Sequence, residues 1–159
     1  MALENKHVAS RGTLQKGDHV FFDKAFGVQG LSHHGVYVGN NQVVHFWPRD
    51  EHHNSVIDDA YVQTNTVLDE KQHAVVHLVP YKDFESQGAY RGSRVYVVDH
   101  PRRLSRDETV DRCLAKLNER GYCSVTNNCE HMVNECVLGE KRSFQVDAMY
   151  DQYIQKFKR

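Results

Sequence analysis

One cysteine in this sequence stands in surroundings that could support nucleophilic chemistry. Cys129 lies in the polar run Asn127-Asn128-Cys129-Glu130-His131. A thiol attacks a carbonyl carbon only as the thiolate, and a free cysteine with a pKa of about 8.5 is mostly protonated at neutral pH. Catalysis at Cys129 would therefore need the positive end of a helix close by, and an imidazole that takes the thiol proton and later returns it.

The other three cysteines are best explained as small buried apolar residues, namely Cys113, Cys123 and Cys136. The four cysteines form no Cys-x-x-Cys pair and no secretory leader precedes them, so we expect free thiols in a reducing, cytoplasmic compartment. The spacings of cysteine and histidine match no standard zinc pattern, and we therefore expect no metal site.

Three histidines stand out from the rest because they flank a predicted hairpin with otherwise apolar strands: His33, His34 and His45. Side chains alternate along a strand, so His33 and His34 point to opposite faces and at most one of them can share a site with His45. The pattern alone does not choose between them. Seven others lie in polar or irregular surroundings, where we expect solvated or capping roles: His7, His52, His53, His73, His77, His100 and His131.

Short β-rich runs in the first two thirds of the chain predict an antiparallel sheet. They cover residues 19–22, 35–38, 42–46, 74–79 and 95–98. The turn sequence Gly39-Asn40-Asn41 joins the second run to the third and predicts a hairpin, which places His33 or His34 on a strand beside His45.

The last third of the chain changes to helical spacing. Ser105 and Glu108 form a capping-box pattern, and apolar residues then follow at helical spacing up to Gly121. A second helix is predicted to begin at one of the two asparagines before Cys129 and to end at Gly139, which places Cys129 in its first turn. Strands followed by helices indicate an α+β domain, with a sheet of four to six strands packed against helices.

A third helix is predicted over 146–157, where large apolar residues recur at helical spacing and cationic residues follow. We expect this amphipathic helix to pack on the core, with contact to a membrane surface as the alternative. The chain of 159 residues fits one core. We divide it into an N-terminal extension (1–13), a catalytic domain (14–139) and the C-terminal helix (140–159).

Charge and hydropathy exclude two classes of partner or location. The sequence has 20 Lys and Arg against 21 Asp and Glu, without a long block of either sign, so a nucleic-acid footprint is not indicated. No apolar run approaches the roughly 18 residues that a transmembrane helix needs.

Two separate runs resemble signatures of the lecithin:retinol acyltransferase family. Residues 32–46, Ser-His-His-Gly-Val-Tyr-Val-Gly-Asn-Asn-Gln-Val-Val-His-Phe, resemble its histidine box, and residues 128–135 resemble its Asn-Cys-Glu-His-Phe motif. Met132 departs from that motif, where phenylalanine is usual. Gly17-Asp18 resembles the start of the first strand, so the resemblance covers roughly residues 14 to 139. It implies a circularly permuted papain-like fold.

The resemblance also implies the role of each residue. Cys129 corresponds to the nucleophile, His33, six residues before Gly39, to the base, and His45 to the polar residue that orients the base. We expect three further residues at the predicted helix start to support the nucleophile or the oxyanion: Asn128, Glu130 and His131. A lipid substrate needs an apolar mouth, and the apolar residues near His33 and His45 are the candidates to line it: Phe26, Leu31, Phe46 and Trp47. His34 stands where the family usually has an aromatic residue, which suits a packing or lining role.

The implied reaction is acyl transfer from a phospholipid ester through an acyl-thioester on Cys129, with water, an amine or an alcohol as acceptor. It requires no metal and no organic cofactor. Phospholipid is then the substrate, and contact with the membrane periphery is expected. Two alternatives stay open: a cysteine peptidase or amidase, since papain-like geometry also serves amide hydrolysis, and a non-catalytic binding or regulatory module.

Overall fold

The computed structural model describes residues 5–23, 32–48, 74–123 and 127–157. Two residues predicted to line the substrate, Phe26 and Leu31, lie outside these ranges. The strands are β1 (Lys6–Val8), β2 (Asp18–Asp23), β3 (Ser32–Gly39), β4 (Gln42–Pro48), β5 (Ala74–Pro80) and β6 (Val95–Val98). The helices are α1 (Tyr81–Tyr90), α2 (Arg106–Ala115), α3 (Cys129–Leu138) and α4 (Phe144–Phe157).

The described strands form one open antiparallel sheet in the order β1-β6-β2-β3-β4-β5. The predicted α+β class with a sheet of four to six strands is confirmed. The short edge strand β1 and the helix α1 were not predicted. Strand β1 has only three residues, too few to show the alternation that is typical of a strand. Helix α1 has no side-chain hydrogen bond at its N-cap and no strongly apolar face, so its sequence gives little helical signal.

The predicted hairpin between β3 and β4 is confirmed. Asn40 and Asn41 both adopt positive φ, at 51° and 57°, as the two central residues of a type I′ turn must. Asparagine tolerates this left-handed region better than most residues, because its short side chain can hydrogen-bond locally. The turn sets the register in which Gly35 pairs with His45.

The sheet buries a different apolar cluster on each face. On one face α3 packs against Val36, Val44 and Val76. On the other face Phe84 of α1 lies in a cluster with Tyr37 and its neighbours. Residues 36 and 37 are adjacent in β3, so the alternation of side chains assigns each position of that strand to one helix or the other.

Gly35 brings α1 close to the sheet. A methyl group at this position would come within 2.7 Å of Val43 Cγ1 and 3.3 Å of the Phe84 ring. Glycine is therefore needed here by close approach, not by backbone conformation.

Helix α2 begins as predicted, with the Ser105 side chain accepting a hydrogen bond from the Glu108 N–H. It ends at Ala115, six residues before the predicted stop at Gly121. The reason is tertiary: Asn118 N donates to Val76 O and Val76 N donates to Glu119 O, so the chain leaves the helix to bond strand β5.

Helix α4 does not pack on the core, and the expectation that it does so is wrong. None of its residues is buried; the first turn is half-buried, and every residue from Met149 to Phe157 is exposed. No helix within the described ranges has the length and apolar character needed to cross a membrane.

Candidate active site

Cys129 is the first residue of α3, as predicted, and the helix start is tightly capped. The Asn128 side chain accepts a hydrogen bond from the His131 N–H at 3.0 Å, and the Asn128 N–H donates to His131 Nδ1 at 3.0 Å. This reciprocal pair is a capping box in which histidine takes the place usually held by glutamate or glutamine. Of the two candidate asparagines, the structure therefore selects Asn128 as the cap.

The thiol of Cys129 is buried, with 5% of the residue exposed, in the apolar cluster beneath α3. Burial is the largest influence on the thiol and raises its pKa to about 12. Backbone N–H groups of Cys129, Glu130 and His34 act in the opposite direction but are outweighed. In this arrangement the sulfur is protonated at neutral pH, so the helix start alone does not hold it ionised.

Glu130 joins the start of α3 to the start of α4. Its buried carboxylate accepts hydrogen bonds from Ser143 Oγ and from Gln145 N, the latter at 3.0 Å. Its other oxygen lies 3.9 Å from His34 Nε2. The carboxylate is thus occupied in holding two helices together beside Cys129.

A chain of hydrogen-bonded histidines lies on the Cys129 face of the sheet. His34 Nδ1 is 2.7 Å from His19 Nε2, and His19 Nδ1 is 2.9 Å from His100 Nε2. The other nitrogen of His34 is 2.7 Å from Ser32 Oγ. Burial lowers the pKa of His19 and of His34, and it lowers the pKa of half-buried His100 to about 4, so these rings are neutral at pH 7.

A second chain of three histidines lies on the opposite face. His33 Nε2 is 2.9 Å from His45 Nδ1, His45 Nε2 is 3.0 Å from His77 Nε2, and His77 Nδ1 is 2.9 Å from the Val75 carbonyl oxygen. Burial lowers the pKa of both His33 and His45 well below the ordinary value. The predicted contact between these two residues is therefore present, and it extends to a third ring.

The proton positions in this second chain follow from its last member. A carbonyl oxygen can only accept, so His77 Nδ1 carries the hydrogen and His77 Nε2, in a neutral ring, must accept from His45. His45 Nδ1 then accepts from His33 Nε2, and the chain leaves His33 Nδ1 as an unprotonated nitrogen. That atom is buried and has no hydrogen-bond partner within the described part of the protein.

The structure does not bring Cys129 to His33 or His45. His33 packs against Phe22 and Phe84 on the α1 face, whereas Cys129 belongs to the α3 face, and the sheet lies between them. Among the residues described, no hydrogen bond joins the thiol to either ring. The expected placement of His33 within reach of Cys129 is not what the structure has, and the catalytic roles of both histidines stay predictions.

The residues predicted to line the substrate divide between the two faces. His34 and Phe46 lie on the Cys129 face, where Phe46 also contacts Tyr122. Trp47 lies on the other face, with its ring centroid 3.9 Å from that of His33.

Three histidines that belong to these chains were missed or misjudged from the sequence. His19 was given no role, and His77 and His100 were expected to be solvated, yet His77 and His19 are buried and His100 is partly so. Strand parity could have found His77, because its side chain shares a face of β5 with Val75 and pairs directly with His45.

Neither chain converges on a metal ion. His19 and His45 each spend both ring nitrogens on neighbouring rings, and no group of three or more His, Cys, Asp or Glu side chains in the described ranges could hold a metal ion.

Residues 12–142 match the family model for lecithin retinol acyltransferase. The chain belongs to the lecithin retinol acyltransferase family. Both histidine chains and the cap of α3 fall within the matched region. Membership in the lecithin retinol acyltransferase family suggests acyltransferase or phospholipase activity. The curated proteins include no match to this chain.

Proposed function

We propose that this protein cleaves phospholipid esters through an acyl-thioester on Cys129 and passes the acyl group to water, an amine or an alcohol. Family membership supports the reaction class. The observation that carries the proposal for this chain is the position of Cys129 as the first residue of a capped helix, where backbone N–H groups of Cys129, Glu130 and His34 interact with the sulfur.

The proposed reaction has two halves. In the first, the thiolate adds to the ester carbonyl carbon, the carbon–oxygen bond to the glycerol breaks, and the departing alkoxide takes the proton that the base removed from the thiol. In the second, the acceptor adds to the thioester, its proton passes to the base, and the thiolate leaves. The N–H groups of the first turn of α3 are suited to stabilise the oxyanion of each half.

Asn128 contributes to this site by positioning. Its side-chain oxygen accepts from the His131 N–H, its own N–H donates to the His131 ring, and its side-chain NH2 donates to Ser143 Oγ at 3.4 Å. We assign Asn128 and His131 to fixing the helix start, and Glu130 to holding α4 against it.

His33 is the proposed base and His45 the residue that orients it. The family motif favours His33, and so does its buried, unprotonated Nδ1, which has no hydrogen-bond partner among the described residues. Catalysis then requires an arrangement in which the thiol and His33 face the same side. His33 is the second residue of β3, and a shift of one residue at the start of this strand would exchange the faces of His33 and His34.

Intact-mass spectrometry after incubation with phosphatidylcholine tests the proposal. We expect an acyl adduct on the parent protein, and none on Cys129→Ala. Cys136→Ala is the matched control, because Cys136 is also buried in α3 but lies two turns from its start. An adduct that persists in Cys129→Ala would remove Cys129 from the role of nucleophile.

The assignment of the base has its own test in the same assay. His33 and His34 are adjacent and fully buried on opposite faces of the sheet, so their alanine variants are matched in burial and differ in the face that they alter. We expect His33→Ala to lose the adduct and His34→Ala to keep it, with folding checked by circular dichroism. The reverse result would assign the base to His34, which lies on the face of the thiol in this structure.

A non-catalytic binding module is the second candidate, and one observation favours it: the thiol is buried, protonated and separated by the sheet from His33 and His45. Such a module would give neither an adduct nor fatty-acid release, yet would bind phosphatidylcholine. A cysteine peptidase or amidase would instead cleave peptide or amide substrates and leave the phospholipid intact.

A further inference from the structure

A serine hydroxyl lies at one end of the histidine chain on the Cys129 face. Ser32 Oγ is 2.7 Å from His34 Nε2, and His34 Nδ1 is 2.7 Å from His19 Nε2. His19 Nδ1 is in turn 2.9 Å from His100 Nε2. A hydroxyl bonded to an imidazole whose other nitrogen is held by a third group is the arrangement that activates serine nucleophiles. Here the third group is another ring.

One set of tautomers in this chain lets Ser32 donate its proton. When His34 Nδ1 donates to His19 Nε2, and His19 Nδ1 donates to His100 Nε2, His34 Nε2 is left to accept from the hydroxyl. Neutral rings then make every hydrogen bond of the chain. Burial lowers the pKa of His34, so the ring that has to accept the proton carries no extra one at pH 7.

The groups around the hydroxyl suit a reaction at its oxygen. A Glu130 carboxylate oxygen lies 3.9 Å from His34 Nε2 and, against the effect of burial, favours the positive charge that His34 gains when it takes a proton. The Gln145 side-chain oxygen accepts from the Ser32 N–H at 3.0 Å, and its amide nitrogen lies 3.4 Å from His34 Nε2. This amide is therefore in position to donate to an oxyanion that forms beside Ser32.

Access distinguishes Ser32 from the thiol of Cys129. Ser32 is half-buried, whereas Cys129 is buried and burial raises its pKa to about 12. The hydroxyl has a base at hydrogen-bond distance in this structure, a requirement that the thiol meets only after a rearrangement. The side chains next to the hydroxyl are polar, so a small acyl group suits this position better than a long hydrocarbon chain.

We propose that Ser32 is a second nucleophile, which takes acyl groups from small, water-soluble esters with His34 as its general base. Ser32 Oγ adds to the ester carbonyl carbon while its proton passes to His34 Nε2. The bond to the leaving alcohol then breaks, and the alkoxide takes that proton, which leaves an ester on Ser32. Water adds to this ester with the same base, the carboxylic acid leaves, and the hydroxyl is restored. His19 and His100 are positioning residues that hold the tautomer of His34.

Labelling with a fluorophosphonate tests the nucleophile. The reagent phosphonylates activated serine hydroxyls with loss of fluoride, and peptide mapping locates the label. We expect the label on Ser32 of the parent and none at that position in Ser32→Ala. His34→Ala should label at least about 100-fold more slowly, since a general base contributes about 10²–10⁴-fold. Ser86→Ala is the control and should label like the parent, because the Ser86 hydroxyl donates to the Lys82 carbonyl oxygen, which is no base.

The substrate class and the histidine chain have tests of their own. p-Nitrophenyl acetate, quenched with acid, should leave an acetyl group on the Ser32 peptide, whereas phosphatidylcholine should leave that peptide unmodified. His19→Gln keeps an acceptor for His34 Nδ1 and should label faster than His19→Leu, which removes it. Equal rates in these two variants, both shown to be folded by circular dichroism, would remove His19 from its positioning role.

A folded parent protein that acquires no label at Ser32 would overturn the proposal, and so would equal labelling of Ser32 in the parent and in a folded His34→Ala. The second nucleophile does not rest on the proposed function, because peptide mapping detects Ser32 and Cys129 separately. A label on Ser32 without any acyl group on Cys129 would contradict only the proposed function. An acyl group on Cys129 without a label on Ser32 would contradict only the second nucleophile.

Discussion

The protonation of His33 is decided by a backbone carbonyl on another strand. The Val75 oxygen fixes the tautomer of His77, and the hydrogen bonds between the rings then fix the tautomers of His45 and His33 in turn. His33 Nδ1 is the nitrogen that carries no proton. Sequence reasoning could place His33 beside His45, since strand parity and the hairpin turn determine that. It could not reveal the anchor, because the pairing of β4 with β5 joins residues far apart in the chain.

The alternation of side chains along a strand also predicts which histidines share a face of the sheet. It does not predict which of the two faces helix α3 covers. Spacing within β3 separates His33 from His34 without saying on which side α3 packs. That choice depends on how Val36 and Val44 meet Met132 and Val133 across the core. The capped start of α3, a local feature, was predicted within one residue.

Alkylation of Cys129 by iodoacetamide should be slow at pH 7 in the lipid-free protein. The reason is that burial raises the pKa of the thiol to about 12, so its thiolate is scarce until the solution is strongly alkaline. Peptide mapping over a pH series measures this, with half-buried Cys123 as the internal comparison. Rapid labelling of Cys129 at pH 6 to 7 that disappears in His33→Ala would instead show the thiol meeting His33 in solution.

At the scale of elements, local patterns located the starts of helices better than their ends. The caps at Ser105 and Asn128 bond to N–H groups only three residues away, which makes them visible in the sequence. The end of α2 is set by hydrogen bonds to Val76, and no local pattern announces these. Whether a helix is buried also depends on residues far away in the chain. The apolar spacing of α4 therefore predicted packing on the core, although none of its residues is buried.

Removal of the α3 cap should destabilise the protein. Asn128→Ala deletes the acceptor of the His131 N–H, and loss of such a cap costs about 0.5–2 kcal/mol of unfolding free energy. Urea denaturation measures the change. Asn127→Ala is the matched control, since that side chain makes an exposed bond to the Gly121 carbonyl and should cost less. Equal losses in the two variants would show that the cap adds nothing special.

At the scale of the whole molecule, the many buried neutral histidines should make the fold sensitive to acid. Burial lowers the pKa of His19, His33 and His45 well below the value of 6.5 expected in the unfolded chain. The unfolded state therefore takes up protons that the folded state does not. The stability is complete above about pH 6.5 and declines as the pH falls towards the folded pKa values.

Thermal denaturation followed from pH 7 to pH 5 tests this expectation. The unfolding temperature should fall steadily as the pH is lowered. His100→Gln should show a weaker dependence, because it removes a group whose pKa is lowered to about 4. An unfolding temperature that stays level over this range would mean that the buried rings are protonated in the folded protein.

The hydrogen bonds from Ser143 and Gln145 to the Glu130 carboxylate tie the start of α4 to the start of α3. From Met149 onward α4 is exposed, whereas its first turn is held by the carboxylate of the residue that follows Cys129 in the chain. A displacement of α4 would therefore stretch or break hydrogen bonds made by the first turn of α3. Any molecule that binds the exposed end of α4 and moves it would thus disturb the turn that holds the thiol of Cys129.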